Sequence, residues 1–430
     1  MTTGAIILGV ILVVVQLTLP RKWAFAPLLF AAAHTSQTEA LGDLTTVRLV
    51  LITGILRGLV ATPKLLIRRA PLDLPFLAFF LVAIVSSFAH SADADNPLKF
   101  RLGFAGSILF TYGYCKLLLP ERDLYKQIAL VLVLALTPLA ALLAIEQRTG
   151  KNLYSAVGAK REDTLNRAGR NRAMGPFGTP ILAGTVGAVA FPLFLPLFRT
   201  RRTVGLIGAA SAVVIVGASA SSGPIGTLAI GTFGAAVWKW RRHLRLGMVA
   251  GALLLSAYPI LKGKGPWHVL TSIDLVGGST GWHRAKLIDN AFLHFGEWWF
   301  AGTDYTAHWM PYRLPQNPNH CDLTNYFIHI GVIGGVPLLV CLLWIVYRSF
   351  KLLNNQSSSQ AGDSDLFQVW CSTCALAAFC ISALTISYYD QVYVFFYLLI
   401  SATQVIPISA RTSSQLAPVP QTRTSLPFIR

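Results

Sequence analysis

The chain has 430 residues, of which 54% are hydrophobic and only 13% are charged, and its mean hydropathy is +0.56. This composition excludes a soluble globular protein and predicts an all-α polytopic integral membrane protein. The net charge of +18 requires no nucleic acid as a partner. Basic residues collect in the cytoplasmic loops of membrane proteins, where they face anionic membrane lipids.

Apolar runs near the ~20 residues that a helix needs to cross the hydrocarbon recur along the chain and predict about 12 or 13 spans. The runs are 4–20, 23–35, 46–62, 74–90, 99–118, 124–145, 177–198, 203–220, 223–240, 245–261, 323–347, 367–387 and 389–409. The run 23–35 is short, and the run 46–62 contains Arg48 and Arg57. The count therefore carries an error of about one or two spans.

Lysine and arginine fall in every second connection between these runs, which marks those connections as cytoplasmic. The basic residues concerned are Arg21, Lys22, Lys64, Arg68, Arg69, Arg122, Lys126, Arg199, Arg201, Arg202, Lys239, Arg241, Arg242, Arg245, Arg348 and Lys351. The loops 34–45 and 89–97 carry acidic residues and almost no Lys or Arg, as outside loops should. With 13 spans, the N-terminus lies outside and the C-terminus inside.

This predicted topology divides the chain into six parts. They are N-terminal membrane helices (1–145), a basic extracytoplasmic loop (146–176), central membrane helices (177–261), a large extracytoplasmic loop (262–322), C-terminal membrane helices (323–409) and a cytoplasmic tail (410–430). The tail is rich in Pro, Ser and Thr and is expected to be disordered.

The loop 146–176 breaks the positive-inside rule, because it is basic on the outer face. It holds Arg148, Lys151, Lys160, Arg161, Arg167, Arg170 and Arg172 against Glu146, Glu162 and Asp163. A solvated basic loop is one interpretation. Arg172, however, precedes Gly175-Pro-Phe177 at an expected helix start, where backbone N–H groups and the helix dipole favour an anion. A planar guanidinium there suits phosphate oxygens, so Arg172, with Arg170 beside it, is a candidate phosphate ligand.

The stretch 284–299 predicts an amphipathic helix that lies on the outer leaflet. Its apolar face comprises Leu287, Ile288, Ala291, Phe292, Phe295, Trp298 and Trp299, opposite Lys286, Asp289, Asn290 and Glu297. Arg284 projects from the middle of the apolar face. It either snorkels to lipid headgroups or points into the protein at a buried anion.

His320, Asp322 and Asn325 lie just before the apolar run 323–347 or at its start. A histidine and a carboxylate two residues apart at the membrane surface suit a general base and its orienting partner. A structural histidine is the alternative, and it applies equally to His268, His283, His294 and His308. The outer carboxylates are few and dispersed, so neither a metal nor another cofactor is expected.

Three short patterns fall on the same outer face. They are Arg-Ala-Met-Gly-Pro-Phe-Gly-Thr-Pro at 172–180, Ser-Ser-Gly-Pro at 221–224, and His320 followed by Gly331 and Gly334. Their order and spacing resemble the superfamily of O-antigen ligases and O-antigen polymerases, membrane glycosyltransferases with the GT-C fold. The first pattern is similar to the family's Arg-x-x-Gly-x-Phe-x-x-Pro element, and the third to its His-Asn element and Gly-x-x-Gly helix start.

Two positions depart from the family pattern. Ser222 stands where the family usually has the arginine of Ser-Arg-Gly, and Cys321 stands where asparagine follows the histidine. The string from Asp322 to Asn325 also indicates a divergent branch of the family.

The resemblance implies transfer of a glycan from undecaprenyl diphosphate to a hydroxyl of an acceptor glycan or lipid, at the outer face of the bacterial inner membrane. Arg172 and Arg284 would stabilise the diphosphate more strongly in the transition state than in the ground state. His320, oriented by Asp322, would take the acceptor proton. The remaining candidates for substrate binding are Arg170, Ser222 and Asn325.

A transporter or flippase of lipid-linked saccharide is the competing class. Such a protein should show ionisable residues deep within several spans and internal repeats, and neither feature is clear in this sequence. Asp390 is the main intramembrane candidate, and a position at a helix end explains it as well. A membrane scaffold without catalysis would leave the two exterior arginines unexplained.

Overall fold

The computed structural model describes residues 3–36, 40–41, 44–90, 96–159, 162–167, 169–272, 281–311, 313–314, 317–358 and 362–405. This part of the chain is mostly α-helical, and its strands form three two-stranded antiparallel hairpins. The tail 410–430, expected to be disordered, lies outside the described residues, as do Lys160 and Arg161 of the basic loop.

Seven α-helices form the described N-terminal part. They are α1 (Thr3–Thr18), α2 (Ala26–His34), α3 (Thr46–Ala61), α4 (Pro63–Ile67), α5 (Asp73–Ser86), α6 (Pro97–Leu118) and α7 (Leu124–Thr149). Asn96 begins α6, because its side-chain oxygen accepts the N–H groups of Leu98 and Lys99 at 3.1 Å. The run 23–35 yields only the nine-residue α2, which is shorter than the ~20 residues of a full span.

Ten further α-helices follow in the described chain. They are α8 (Pro180–Phe194), α9 (Leu197–Thr200), α10 (Arg202–Ala218), α11 (Ser222–Ala236), α12 (Leu244–Lys262), α13 (Gly281–Leu293), α14 (Phe295–Trp298), α15 (Tyr326–Ser358), α16 (Asp363–Ser382) and α17 (Val392–Ala402). Every predicted apolar run therefore contains an α-helix. The amphipathic helix expected over 284–299 is divided instead, since α13 ends at Leu293 and α14 follows His294.

Three of the described helices, α7, α15 and α16, are long and apolar enough to cross a membrane. Five shorter apolar helices have 10–17 residues and correspond to α1, α5, α8, α10 and α17. These helices agree with the all-α class expected from composition and indicate association with a membrane. The number of spans stays a prediction.

Helices α8, α10 and α11 approach one another closely through glycines. A Cβ atom on Gly187 of α8 would lie 2.9 Å from the carbonyl oxygen of Ala212 in α10. One on Gly184 would lie 2.7 Å from Cγ of Pro224 in α11. Small residues let helix backbones pack tightly in this way, and the packing places the first turns of α8 and α11 side by side.

The three hairpins are β1 (Ala40–Leu41) with β2 (Leu44–Thr45), β3 (Leu165–Arg167) with β4 (Arg170–Arg172), and β5 (Arg313–Leu314) with β6 (Asn317–Cys321). In the second, Leu165 pairs with Arg172, and Arg167 pairs with Arg170. The second and third hairpins carry Arg172 and His320 respectively. They place both residues in the connections between helices.

Helix α15 is broken at Gly334 and Gly335, where Gly335 has a φ of 73° that favours glycine. The segment after α14 packs against the break: the Val336 N–H donates to the Trp299 carbonyl at 2.7 Å, and the Thr303 N–H donates to the Val332 carbonyl at 2.9 Å. The break in α15 is therefore hydrogen-bonded to the segment that follows α14. Gly334, expected at a helix start, lies at this break.

Candidate functional site

The segment from Arg172 to Gly178 is fixed by two carboxylates. Glu146, buried at the end of α7, accepts the backbone N–H groups of Met174 and Gly175 at 3.0 and 2.8 Å. Asp390 accepts the N–H of Gly178 at 2.6 Å. The expectation that backbone N–H groups here would bind an external anion is wrong, because the protein's own carboxylates occupy them.

Arg172 itself points toward the start of α11. One of its Nη atoms donates a hydrogen bond of 2.7 Å to the hydroxyl of Ser221, and its buried Nε atom has no hydrogen-bond partner among the described residues. Burial lowers the pKa of Arg172, and the positive charges of Arg167 and Arg284 lower it further. Two further guanidinium groups therefore lie within electrostatic reach of Arg172.

Arg284 lies in the first turn of α13 and points into the protein. Its Nε atom donates to the carbonyl oxygen of Thr385, in the connection between α16 and α17, at 2.9 Å. Burial lowers the pKa of Arg284, the charge of Asp322 raises it, and that of Arg167 lowers it. The inward contact favours the second of the two interpretations of Arg284 over snorkelling to headgroups.

Arg167, Arg172 and Arg284 are called the arginine cluster below. Asp322 directly follows β6, and its charge acts on Arg284 of this cluster. It keeps contact with solvent, but the surrounding protein raises the pKa of its carboxyl group, which His283 and Arg284 then lower. Asp322 thus interacts electrostatically with Arg284. Its backbone carbonyl also lies 3.4 Å from Nε2 of His283.

His320 has a different neighbour from the one expected. Its Nδ1 atom lies 3.2 Å from the hydroxyl of Thr306, and no hydrogen bond joins it to Asp322 among the described residues. Burial lowers the pKa of His320, and the charge of Asp304 raises it. Among the described residues, Thr306 is therefore the hydrogen-bond partner of His320 in the place where Asp322 was expected.

The carboxylate of Asp304 contacts His90 and Arg101, two residues that the sequence did not single out. Nδ1 of His90 lies 2.8 Å from one carboxylate oxygen, and an Nη atom of Arg101 lies 3.4 Å from the other. Arg101 is 2% exposed, and its Nε atom donates to the carbonyl of Ile333 at the α15 break at 2.9 Å. A charged residue inside an apolar run was the one available signal.

The remaining expected site residues are placed as follows. Asn325 is buried and begins α15, since its side chain accepts the Ile328 N–H at 3.1 Å and donates to the Leu384 carbonyl at 3.1 Å. This position is structural. Ser222 is the first residue of α11 and is half-buried beside Ser221, whereas Arg170 is exposed at the end of its hairpin.

Two histidines and a carboxylate also meet in the segment 294–308. The candidate ligand atoms of His294, Glu297 and His308 all lie within 4.8 Å of one another. They are the described residues that could hold a metal ion as a group, and they are distinct from the arginine cluster.

The arrangement is suited to binding an anion next to a base. Arg167 and Arg172 come from one hairpin and Arg284 from α13, and charge-assisted hydrogen bonds from guanidinium groups favour phosphate oxygens. Burial lowers the pKa of His320 and so favours its neutral form, and a neutral imidazole can accept a proton.

No protein-family model matches the chain, and no curated protein matches it either. The function proposed below is therefore inferred from geometry and from the resemblance of the short motifs.

Proposed function

We propose that the protein is a polytopic glycosyltransferase of the bacterial inner membrane. It moves or polymerises a glycan from undecaprenyl diphosphate onto an acceptor hydroxyl at the outer face, in the manner of O-antigen ligases and polymerases. The observation that carries this proposal is that the segment following Arg172 and the side chain of Arg284 contact the same connection between α16 and α17. The Gly178 N–H donates to Asp390, and Arg284 donates to the carbonyl oxygen of Thr385.

Like charges that lie close together in a half-buried site repel one another, and the repulsion lowers their pKa. An anion of high charge density relieves this repulsion. A diphosphate offers several oxygens to planar guanidinium groups, and the hydrogen bonds strengthen as negative charge develops on the leaving group. Arg172 and Arg284 are therefore assigned to the diphosphate, with Arg167 adding to the positive field.

His320 is assigned as the base. It takes the proton of the acceptor hydroxyl while the acceptor oxygen attacks the anomeric carbon of the donor sugar. The bond between that carbon and the diphosphate oxygen breaks, and undecaprenyl diphosphate leaves with the electron pair. Thr306 holds the imidazole through Nδ1, which leaves Nε2 to face the acceptor.

The membrane fold of about 12–13 spans is part of the proposal. It is supported by three helices of membrane length and five shorter apolar ones, and by the alternation of basic loops. Under this topology, the basic loop and the large outer loop share the outer face with the arginine cluster.

The experiment is reconstitution of the purified protein in liposomes with an undecaprenyl-diphosphate-linked glycan and an acceptor. Wild-type protein should form the product, and both Arg172→Ala and Arg284→Ala should reduce its formation. Lys151→Ala, which removes an exposed cation of the same loop, is the matched control. Absence of product under all donor and acceptor pairs of the host would overturn the proposal.

A flippase of lipid-linked saccharide is the second candidate, and one observation favours it. Transporters use broken helices at the membrane midplane, and α15 is broken at Gly334 and Gly335 with the buried Arg101 against the break. In the same liposomes, movement of the donor between leaflets without product would support this function.

A further inference from the structure

A small polar cluster lies between α13 and the loop that follows α14. Nδ1 of His294 lies 2.7 Å from Oε1 of Glu297, and Nε2 of His308 lies 3.0 Å from Oε2 of the same carboxylate. All three candidate ligand atoms lie within 4.8 Å of one another. Each of the three side chains is partly exposed, so an ion could reach the cluster from solvent.

The neighbouring aromatic residues orient these side chains. The indole N–H of Trp309 donates to Oε2 of Glu297 at 3.1 Å, and its ring stacks on His294 with centroids 5.8 Å apart. Tyr305 stacks on His308 at 5.2 Å. Metal sites are built in this way, with outer groups that fix the direction of each ligand.

We propose that His294, Glu297 and His308 bind one divalent transition-metal ion of the zinc class. Two imidazoles and one carboxylate are a ligand set that Zn²⁺ uses, with water in the fourth position. Imidazole ligands disfavour Mg²⁺ and Ca²⁺, which prefer oxygen. In a tetrahedral site with metal–ligand distances of about 2.0–2.1 Å, two ligand atoms lie roughly 3.3 Å apart. The ligand atoms here are separated by distances that run from 2.7 Å to at most 4.8 Å, a range that includes this value.

The sequence does not predict this site, because the ligands do not form a compact motif. His294 and Glu297 are three residues apart across the start of α14, and His308 arrives from a separate turn. The set contains only one carboxylate, so the scattered carboxylates of this segment do not indicate it.

A second cluster in the same loop provides an internal comparison. Asp289 accepts from the indole N–H of Trp267 at 2.7 Å and lies 2.9 Å from Nε2 of His268. Like the first cluster, it combines a carboxylate, an indole and an imidazole, but the described residues provide no second histidine. Among the described residues it has no third ligand for a metal ion, and His268 therefore serves as a matched control.

The ion would join the start of α14 to the segment 303–310. That segment carries Thr306, which contacts His320, and Asp304, which is held by His90 and Arg101. Binding at His308 would thus fix the second end of the segment that positions His320. This consequence rests on the proposed function, whereas binding of the ion does not.

The experiment uses full-length protein without a polyhistidine tag, stripped with a chelator and then dialysed against Zn²⁺. Wild-type protein should retain about one Zn²⁺ per chain, measured by mass spectrometry of the metal. Loss of one ligand should weaken the affinity for Zn²⁺ by more than the ~10–100-fold that loss of an outer-shell group costs. Glu297→Gln and His308→Gln should both show this loss, and His268→Gln should bind like wild type.

Co²⁺ provides the second measurement. The wild type should show the visible absorption bands of a tetrahedral Co²⁺ ion without thiolate charge-transfer bands, since the proposed ligands include no cysteine. Thiolate bands, no Zn²⁺ binding by the wild type, or wild-type affinity in both ligand variants would each overturn the proposal. Zn²⁺ binding without glycan transfer would retain the metal site and count against the proposed function alone.

Discussion

The guanidinium of Arg172 lies 2.7 Å from the hydroxyl of Ser221, so the basic hairpin contacts the first turn of α11. Ser222, the next residue, occupies the position where the resembling family usually has an arginine. A cation from another segment therefore reaches the same helix start. Arg172 therefore brings the positive charge of the hairpin β3–β4 to the start of α11, where the chain itself has serine at 221 and 222.

This relationship predicts that Arg172→Lys will impair glycan transfer nearly as much as Arg172→Ala. An ammonium keeps the charge but lacks the planar fork that binds two oxygens at once. Loss of a hydrogen bond to a charged group corresponds to roughly 1.5–3 kcal/mol, or about tenfold to a hundredfold in kcat/KM. Initial rates of transfer at several donor concentrations measure the effect.

Lys151→Ala is the control for this series, because Lys151 is an exposed cation of the same loop. It should leave kcat/KM within about twofold of wild type, since an isolated surface charge contributes little. Equal and small losses at Arg172 and Lys151 would show that the loop only attracts anionic headgroups.

Local patterns single out Arg172 and Arg284 as candidates because each breaks a local rule. Arg172 is a cation in a loop that the sequence predicts to be outer, and Arg284 lies on a predicted apolar helix face. Such violations are visible within a few residues of sequence. The same local reasoning predicted a helix in every apolar run, since hydrophobic length requires no knowledge of the partners.

The partners of His320 could not be predicted in this way. Asp304 and Arg101 are separated by 203 residues, and His90 lies on yet another element. Asp322 was expected to orient His320 because it is near in sequence. β6 ends at Cys321, and the charge of Asp322 acts on Arg284 instead, which only the folded chain reveals.

Glu146 is expected to be essential for folding of the basic loop. Its carboxylate accepts two backbone N–H groups while 1% exposed, and an amide cannot accept both with the same geometry. A buried donor left without an acceptor costs roughly 1–3 kcal/mol. Glu146→Gln should therefore lower the thermal unfolding midpoint in detergent.

Glu162→Gln is the matched change at an exposed acidic residue of the same loop, and its midpoint should equal that of wild type. If Glu146→Gln were as stable as Glu162→Gln, the two hydrogen bonds would not hold the segment that carries Arg172.

The proposed topology predicts that Lys151 and Lys264 share the outer face. Single cysteines at these exposed positions should react with an impermeant maleimide in intact cells, whereas a cysteine at Lys351 should react only after lysis. Five of the six native cysteines are buried, so background labelling should be low. Protection at Lys151 or Lys264 would overturn the shared outer face.

The assignment of His320 as the base predicts a particular dependence of activity on pH. Burial lowers the pKa of His320 below its ordinary value of 6.5, with Asp304 opposing the shift. The neutral, proton-accepting form therefore persists below pH 6.5. Transfer should be constant around neutral pH and should fall only at a lower pH than an unperturbed imidazole would give.

Two substitutions distinguish the partner of His320. Thr306→Val removes the hydroxyl that lies 3.2 Å from Nδ1, so it should reduce kcat and move the acid limb of the pH profile. Asp322→Asn should leave the acid limb in place, because the charge of Asp322 acts on Arg284. A shift of the acid limb in Asp322→Asn alone would restore Asp322 as the orienting partner.

His320→Ala completes the test. Loss of a general base costs about 10²–10⁴ in rate, while the diphosphate contacts of Arg172 and Arg284 remain. The variant should therefore bind undecaprenyl-diphosphate glycan with wild-type affinity but form almost no product, and its residual rate should lack the acid limb. Transfer within a few-fold of wild type, with the acid limb intact, would remove the base assignment and direct the search to Asp322 or Asp304. Loss of donor binding together with rate would instead make His320 a ligand of the donor.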